Sequence, residues 1–571
     1  NDLAKTHPKI EYLLSIAEKI EGFPRHASTH AAGVVISGEP LTTYLPLARS
    51  NEDEIITQFS MEDVEALGLL KMDFLGLRTL TVLRDTMELI RQNRGLEVDL
   101  AKIPLNDELT YQELQAGHTL GVFQLESSGI RRILIRLKPD KIEDLTALVA
   151  LYRPGPLGSG MIDDYIKVRH GQKAINYLDP SLEPILRETY GVILYQEQVM
   201  RIASEIGGFS LGEADLVRRA MGKKKPEVLM AMGERFINGA LTKGLSQEKA
   251  AAIFDLMEYF SGYGFNKSHS AAYALVTYQT AYFKANYPQE YMAALLTSVM
   301  GNSDKVGLYI EECRRMGLTI YPPDVNLSMA SFAPEGDGIR FGLQSIKNVG
   351  IGAIEKIING RKTGKYHSLF DFCARVSSQL VNKRVAESLI KAGALDCVGS
   401  GRRQMLTALD GILEKTVKRN YAANQLSLLD AFDGGAMEPE IKMSKVEEFS
   451  QNEMLQMEKE YLGIFISGHL LDQWREKFLQ NGVMPLAELE EEPDGKEVLI
   501  GGVVGGWRVI TTKSGSQMAG SRIEDWTGSI EVIIFPRLYA EVKDDYLPDR
   551  VVVIKGRLER QEEGIKVIAS Q

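Results

Sequence analysis

The hydrophobic pattern changes character several times along this chain. Ile10, Leu13, Leu14, Ile16, Ala17 and Ile20 recur at helical spacing and Gly22 with Pro24 ends the run, so residues 1–25 read as the end of a helical element. Residues 26–80 carry short apolar runs instead, Gly33 to Ile36 and Leu69 to Leu75, with turns between them, the pattern of part of a sheet. From 81 to about 290 the period is mostly helical. One helix follows Ser246, with Ile253, Phe254, Met257 and Phe260 on one face and Gly262 as its stop. Another runs from about His269 to Asn286 and halts before Pro288. Residues 291–430 are again helical around a glycine-rich turn at 349–352; a polar linker follows at about 431–447 and a last helical piece at about 448–480. After Pro493-Asp494-Gly495 come β-branched runs, Val498 to Val504, Ile530 to Phe535, Val551 to Ile554 and Ile565 to Ile568. With glycine turns between them they predict a small β-barrel of the oligonucleotide-binding (OB) type. The predicted fold class is therefore multidomain α+β.

Composition refines this picture. A chain of 571 residues exceeds one core and predicts about three to five domains. No run of about 18 apolar residues exists, so no membrane span is expected. The chain starts at Asn1 with no leader pattern and is expected to be an internal fragment. Cys313, Cys373 and Cys397 are far apart and form no CxxC pair, which fits a reducing cytoplasm. The net charge of −11 argues against nucleic acid only if charge is even, and it is not. Residues 131–225 hold 16 Lys/Arg against 12 Asp/Glu, and the stretch 430–460 is acidic. Patches, not the total, decide phosphate binding.

Several constellations carry candidate chemistry. Lys71 and Asp73 alternate with Leu70, Met72 and Phe74 on a short strand, so the two charged groups share a face while the apolar three are expected in the core. Such a pair is either structural or suited to phosphoryl transfer, the carboxylate holding a divalent metal and the lysine meeting a phosphate. His26 and His30 have a zinc-like spacing but no accompanying glutamate and no long helix, and read as a polar turn entering a strand. Arg218, Arg219, Lys223, Lys224 and Lys225 form the densest basic cluster, either a solvated helix face or a phosphate contact where Gly222 breaks the helix. Around Lys267 and His269, Ser268 is a candidate helix cap. Val349-Gly350-Ile351-Gly352 between two helical patterns, flanked by Ile346, Ile354, Ile357 and Ile358, is a helix-hairpin-helix signature whose amides can hold a backbone phosphate, with Lys347 and Lys356 adding charge. In the barrel, Phe535 and Trp526 are candidate core residues and Trp507 the candidate platform for stacking single-stranded bases.

Five segments occur in a telling order: Gly68 to Thr81, Leu151 to Gly160, Tyr195 to Met200, Arg218 to Lys225 and Tyr263 to Tyr273. Together they closely resemble the bacterial C-family of replicative DNA polymerases, DnaE type, over essentially the whole chain. The resemblance implies template-directed DNA synthesis by two-metal nucleotidyl transfer in the intact parent. It implies residues 1–25 as the end of a thumb, 26–80 as the C-terminal part of a palm with a nucleotidyltransferase-like sheet, and 81–290 as fingers. Residues 291–480 become a duplex- and clamp-binding region and 495–571 the OB domain.

Residue by residue, the resemblance makes Asp73 one of three metal-holding aspartates for Mg²⁺ and Lys71 a contact to the incoming triphosphate. Arg218, Arg219, Lys267 and His269 are expected to border the nucleotide. Lys223, Lys224, Lys225, Lys347, Gly350, Gly352 and Trp507 are expected on DNA. Gln425-Leu426-Ser427-Leu428-Leu429 resembles the pentapeptide that docks on the sliding clamp, a glutamine at the rim and two leucines in an apolar pocket. Primer-template DNA, dNTP, the clamp and other replisome subunits are the implied partners, with no membrane. No Asp-x-Asp in matching context supplies the other two aspartates, so the alternative is a non-catalytic DNA- and clamp-binding fragment.

Overall fold

The computed structural model describes residues 7–23, 29–50, 53–153, 160–223, 226–261, 264–376, 381–424, 446–490, 492–512, 515–543, 546–561 and 564–571. The chain divides into two compact units at Arg78.

The first unit opens with a helix, Pro8–Ile20, whose proline sits at the first position, where no backbone N–H is needed. Strand β1 (Gly33–Ile36) is followed by β2 (Leu47–Arg49) and β3 (Ile55–Thr57), which pair antiparallel with each other. Ser60 then caps the short helix Met61–Ala66, and β4 (Leu70–Asp73) pairs antiparallel with β1. The register sets Gly33 opposite Asp73 and Val35 opposite Lys71. One expectation fails here. Leu70, Met72 and Phe74 do not enter a core: they are 57%, 42% and 65% exposed. The sheet has two strands, and among the described residues of this unit no layer covers that face; two strands alone cannot bury one.

In the second unit, one hydrophobic core runs from Val82 to Ile464. Its axis is the helix Lys267–Asn286, which buries Ala274, Tyr278, Ala281 and Phe283 together with Thr277, Thr280 and Lys284. From Val276 onward it is enclosed nearly all round and so shows little amphipathic patterning there; its length and its stop before Pro288 are its sequence signal. The buried Lys284 ammonium donates to the carbonyls of His118 and Leu120 and to the Glu312 carboxylate, tying this helix to Ser303–Arg315. Burial pushes the Glu312 carboxyl up, but hydrogen bonds and charge from Arg315 and Lys284 outweigh it and hold it at about 2.

A second core, Leu182 to Met257, is built by the helices Gln196–Glu205, Leu211–Lys223, Pro226–Thr242 and Gln247–Ser261. Ile253, Phe254 and Met257 are buried on the predicted face, while Gly262 and the Phe260 side chain lie outside the described residues. Gly222 does not break its helix, which continues to Lys223. A glycine near a helix end costs about 1 kcal/mol against alanine, too little to interrupt a helix held by buried Ala214 and Val217.

Residues 291–430 are not wholly helical. A small sheet of β5 (Thr319–Tyr321), β6 (Ala333–Glu335) and β7 (Gly338–Arg340) intervenes, in the order β5-β7-β6. The C-terminal region is a closed barrel of β8 (Glu497–Thr511), β9 (Gln517–Glu524), β10 (Ser529–Ile534), β11 (Val551–Gln561) and β12 (Gly564–Ala569), in the order β10-β12-β11-β8-β9. Strand β9 carries Ala519, Gly520 and Ser521 in place of a β-branched run and escaped the pattern. Phe535 is not in the barrel core: it is the residue before the helix Pro536–Val542 and is 49% exposed. Trp526 faces outward, its indole N–H donating to Asp472 at 2.9 Å and its ring against Phe478, so it fastens the barrel to residues 446–490. Among the described residues no helix is long and apolar enough to cross a membrane.

Candidate functional site

In the first unit, period-two alternation brings Lys71 Nζ to 2.5 Å from Asp73 Oδ1. That hydrogen bond holds the Asp73 carboxyl below its ordinary value, with the nearby charge of His30 adding to the effect. His30 Nδ1 stands 3.8 Å from the same oxygen. A side chain on Gly33 would meet His30 Nδ1 at 2.7 Å and the Lys71 stem at 3.2 Å, so a larger residue opposite Asp73 would displace His30 from the cluster. His26 lies outside the described residues. The cluster is a carboxylate, an ammonium and an imidazole around one glycine. Among the described residues no three His, Cys, Asp or Glu side chains gather as a metal site. Asp73 is the one carboxylate of this cluster, and these residues alone do not fit a two-metal centre.

In the second unit, three of the singled-out segments meet at the first turn of helix Gln196–Glu205, and a fourth reaches the loop that packs on it. The Gln196 backbone N–H donates to the Phe265 carbonyl at 2.9 Å, and the Phe265 N–H donates to Leu194 at 3.1 Å, forming a bridge between strand-like segments. Gln196 Nε2 donates to the Gly264 carbonyl at 3.2 Å and Gln196 Oε1 accepts from Arg218 Nη1 at 3.3 Å. The Arg153 guanidinium lies 4.3 Å over the Phe265 ring. The next helix is capped by Asn266, not Ser268: Asn266 Oδ1 accepts from the His269 N–H at 2.8 Å. Asparagine reaches the third amide of the helix from the position its backbone already occupies, and Ser268 is one residue inside. His269 is exposed, with its ring between Phe265 and Tyr273.

Three cations in this group are paired with the chain's own carboxylates. Arg218 and Arg219 both bind Asp215 at 2.8 Å, and Lys267 binds Glu188 at 2.7 Å. Arg218 holds the Asp215 carboxyl below its usual value. Lys223 ends its helix with its side chain outside the described residues, as are Lys224 and Lys225.

The hairpin is built differently. Its first limb is the single 3₁₀ turn Leu343–Ser345 and not a full helix, and Gly342 before it packs against the backbone of residues 330–332 too closely for a side chain. Gly350 is the N-cap of helix Ile351–Gly360 and Gly352 lies in its first turn, while Ile346, Ile354 and Ile357 are buried. Asn348 takes a left-handed φ of 68°, and its side-chain amide donates to Ser388 at 3.2 Å. The Lys347 N–H donates to the Tyr461 carbonyl at 2.9 Å. A cleft of about 750 Å³ lined by Lys347, Gly350, Lys459 and Tyr461 adjoins one of about 510 Å³ lined by Lys347, Lys383 and Arg384. Lys347 and Arg384 are exposed, and neither forms an ion pair among the described residues.

Comparison with known proteins gives this geometry a context. Residues 1–76 match the bacterial DNA polymerase III alpha NTPase domain, and 79–244 match the bacterial DNA polymerase III alpha subunit finger domain. Residues 317–405 match a helix-hairpin-helix motif and 498–571 an OB-fold nucleic acid binding domain. DNA polymerase III subunit alpha of Thermus aquaticus is 44% identical over 570 residues, 98% of this chain and 46% of that protein. The subunit of Aquifex aeolicus is 42% identical across 100% of this chain and 48% of that protein, and that of Escherichia coli K12 42% across 98% and 49%. The chain belongs to the bacterial DNA polymerase III alpha family. It spans about half the length of the curated relatives it matches.

Within that family frame, the finger match contains Arg153, Gln196, Arg218 and Arg219, and it ends before the 264–269 loop that packs on them. Gln196 falls inside the singled-out segment Tyr195 to Met200 but carries no role of its own in the sequence reading, and Glu188 and Asp215 lie outside every motif, since two scattered acids give no motif signal. In the OB-fold match, Trp507 lies in β8 opposite Ser521, with its side chain outside the described residues. A cleft of about 620 Å³ on this barrel is lined by Arg508, Arg522 and Ser529. The clamp-like peptide, Gln425 to Leu429, lies outside the described residues.

Proposed function

We propose that this chain supplies the nucleotide- and DNA-holding part of a DNA-directed DNA polymerase, a nucleotidyltransferase adding deoxynucleotides to a primer 3′ end. The observation that carries this reading is the convergence of Gln196, Arg218 and Lys267, from segments far apart in sequence, on one turn, with Arg153 stacked on the adjoining Phe265. Arginine forks and an ammonium around an exposed surface suit a triphosphate. On this reading Arg218, Arg219, Lys267 and His269 border the dNTP, and Lys71 meets phosphate beside Asp73. Lys223, Lys224, Lys225, Lys347, Gly350, Gly352 and Trp507 face DNA. Gln425 to Leu429 dock the sliding clamp, other replisome subunits join through the parent protein, and the location is the cytoplasm. Divalent metal, Mg²⁺ by the family's chemistry, supplies activation of the 3′-hydroxyl and charge neutralisation in the intact polymerase. Asp73 contributes one carboxylate to it.

The test is primer extension with Mg²⁺ by this chain co-expressed with the portion of an alpha subunit that it does not span. Extension by the pair, lost in Asp73→Ala, is expected. A silent pair that still binds DNA and clamp would instead support the non-catalytic reading, which the single carboxylate at the β1–β4 pair favours for the chain alone.

A further inference from the structure

We propose that Gln196 is a positioning residue that couples Arg218 to the 264–269 loop, so that one side chain sets the Arg218 guanidinium against the loop that carries Lys267. This rests on the nucleotide reading of Arg218 given above. Gln196 is half-buried at the start of helix Gln196–Glu205 and touches both elements at once. Its carbonyl oxygen accepts from Arg218 Nη1 at 3.3 Å while its amide nitrogen donates to the Gly264 carbonyl at 3.2 Å. Its own N–H donates to Phe265 at 2.9 Å. The adjoining Glu197 accepts from the Lys267 N–H with both oxygens, at 3.1 and 3.0 Å.

The chemistry of the amide fits this task. Only a side chain with an acceptor and a donor on one planar group meets a guanidinium and a carbonyl together without adding charge. A glutamate in its place would keep the arginine and repel the carbonyl; a methionine would fill the space and make neither bond. Asp215 already takes Arg218 Nε and Nη2, at 2.9 and 2.8 Å. With Gln196 on Nη1, the guanidinium plane is fixed from two sides, which spares the ordering cost when a phosphate arrives.

The experiment measures equilibrium binding of a labelled dNTP with Mg²⁺ to this chain in the presence of primer-template, together with primer-template affinity and the thermal midpoint. Variants are Gln196→Met, Gln196→Glu, Arg218→Ala and the double variant Gln196→Met/Arg218→Ala. Gln196→Met is expected to weaken dNTP binding about tenfold, the scale of one lost hydrogen bond to a charged group, with primer-template affinity and thermal midpoint unchanged. Gln196→Glu is expected to fall between wild type and Gln196→Met. In the Arg218→Ala background Gln196→Met should cost nothing more. If Arg218→Ala weakens dNTP binding and Gln196→Met does not, or the two effects multiply, the coupling is wrong while the nucleotide reading stands. If wild type binds no dNTP, or Arg218→Ala leaves binding unchanged, the nucleotide reading itself fails and takes this inference with it.

Discussion

The turn at Gln196 and the hairpin at Gly350 both gather cations, but they hold them in opposite states. At the turn, Arg218, Arg219 and Lys267 are already bonded to Asp215 and Glu188. At the hairpin, Lys347 and Arg384 stand exposed without an ion pair among the described residues. A phosphate reaching the turn exchanges one anion for another, so its net gain is small unless its geometry is better than that of the carboxylates. A phosphate reaching the hairpin displaces only water and counterions. On the proposed reading, the first arrangement would discriminate between anions and the second would hold any backbone. That difference suits a polymerase, which selects each nucleotide but must grip every sequence.

The largest effect expected from breaking this contrast is at Arg218. Arg218→Ala should lower dNTP kcat/KM in the assembled polymerase about 100-fold, the scale of losing one preorganised donor to developing charge, with primer-template affinity little changed. Removing the competing anion should do the reverse on a smaller scale. Asp215→Asn releases both arginines, and exposed ion pairs are worth up to about 1 kcal/mol, so dNTP affinity should rise by up to about fivefold. If affinity falls instead, Asp215 orients the arginines more than it competes with phosphate. The pH dependence follows from the same pair. Arg218 holds the Asp215 carboxyl below its usual value, so the pair contributes above the ordinary carboxylate range and is lost only as pH falls beneath it. A dNTP-affinity profile between pH 6 and 9 should therefore show no step that Asp215→Asn removes.

What the sequence made legible follows the same division. The hairpin was readable because Val349-Gly350-Ile351-Gly352 and its flanking isoleucines are local, and a local pattern needs no knowledge of the fold. Lys71 and Asp73 were likewise readable as one face, because a strand has period two. The state of the cations at the turn was not, since Lys267 finds Glu188 79 residues away. Nor did the pattern disclose the exposed back of β4. Leu70, Met72 and Phe74 announce a face to be covered, and hydrophobicity does not say by what. Four barrel strands stood out through β-branched runs, whereas β9 packs with small residues, which the alternation rule does not register.

The hairpin offers the finest test of the contrast, because its expected effects are small and of one kind. Lys347→Ala and Arg384→Ala should each weaken duplex binding uniformly across sequences, by about two- to threefold at moderate salt. Each should also reduce the slope of log affinity against log salt by about one. Arg218→Ala should leave that slope unchanged, since its charge is already neutralised by Asp215 before DNA arrives. The two sites are then separable by salt titration alone. An equal loss of slope from Arg218 would mean that the Asp215 pair opens on DNA binding and that the turn, too, carries a free cation. No change from Arg384 would confine the phosphate contact to the hairpin amides and Lys347. In that case the cleft between Lys347 and helix Lys383–Lys391 would be geometry without a ligand.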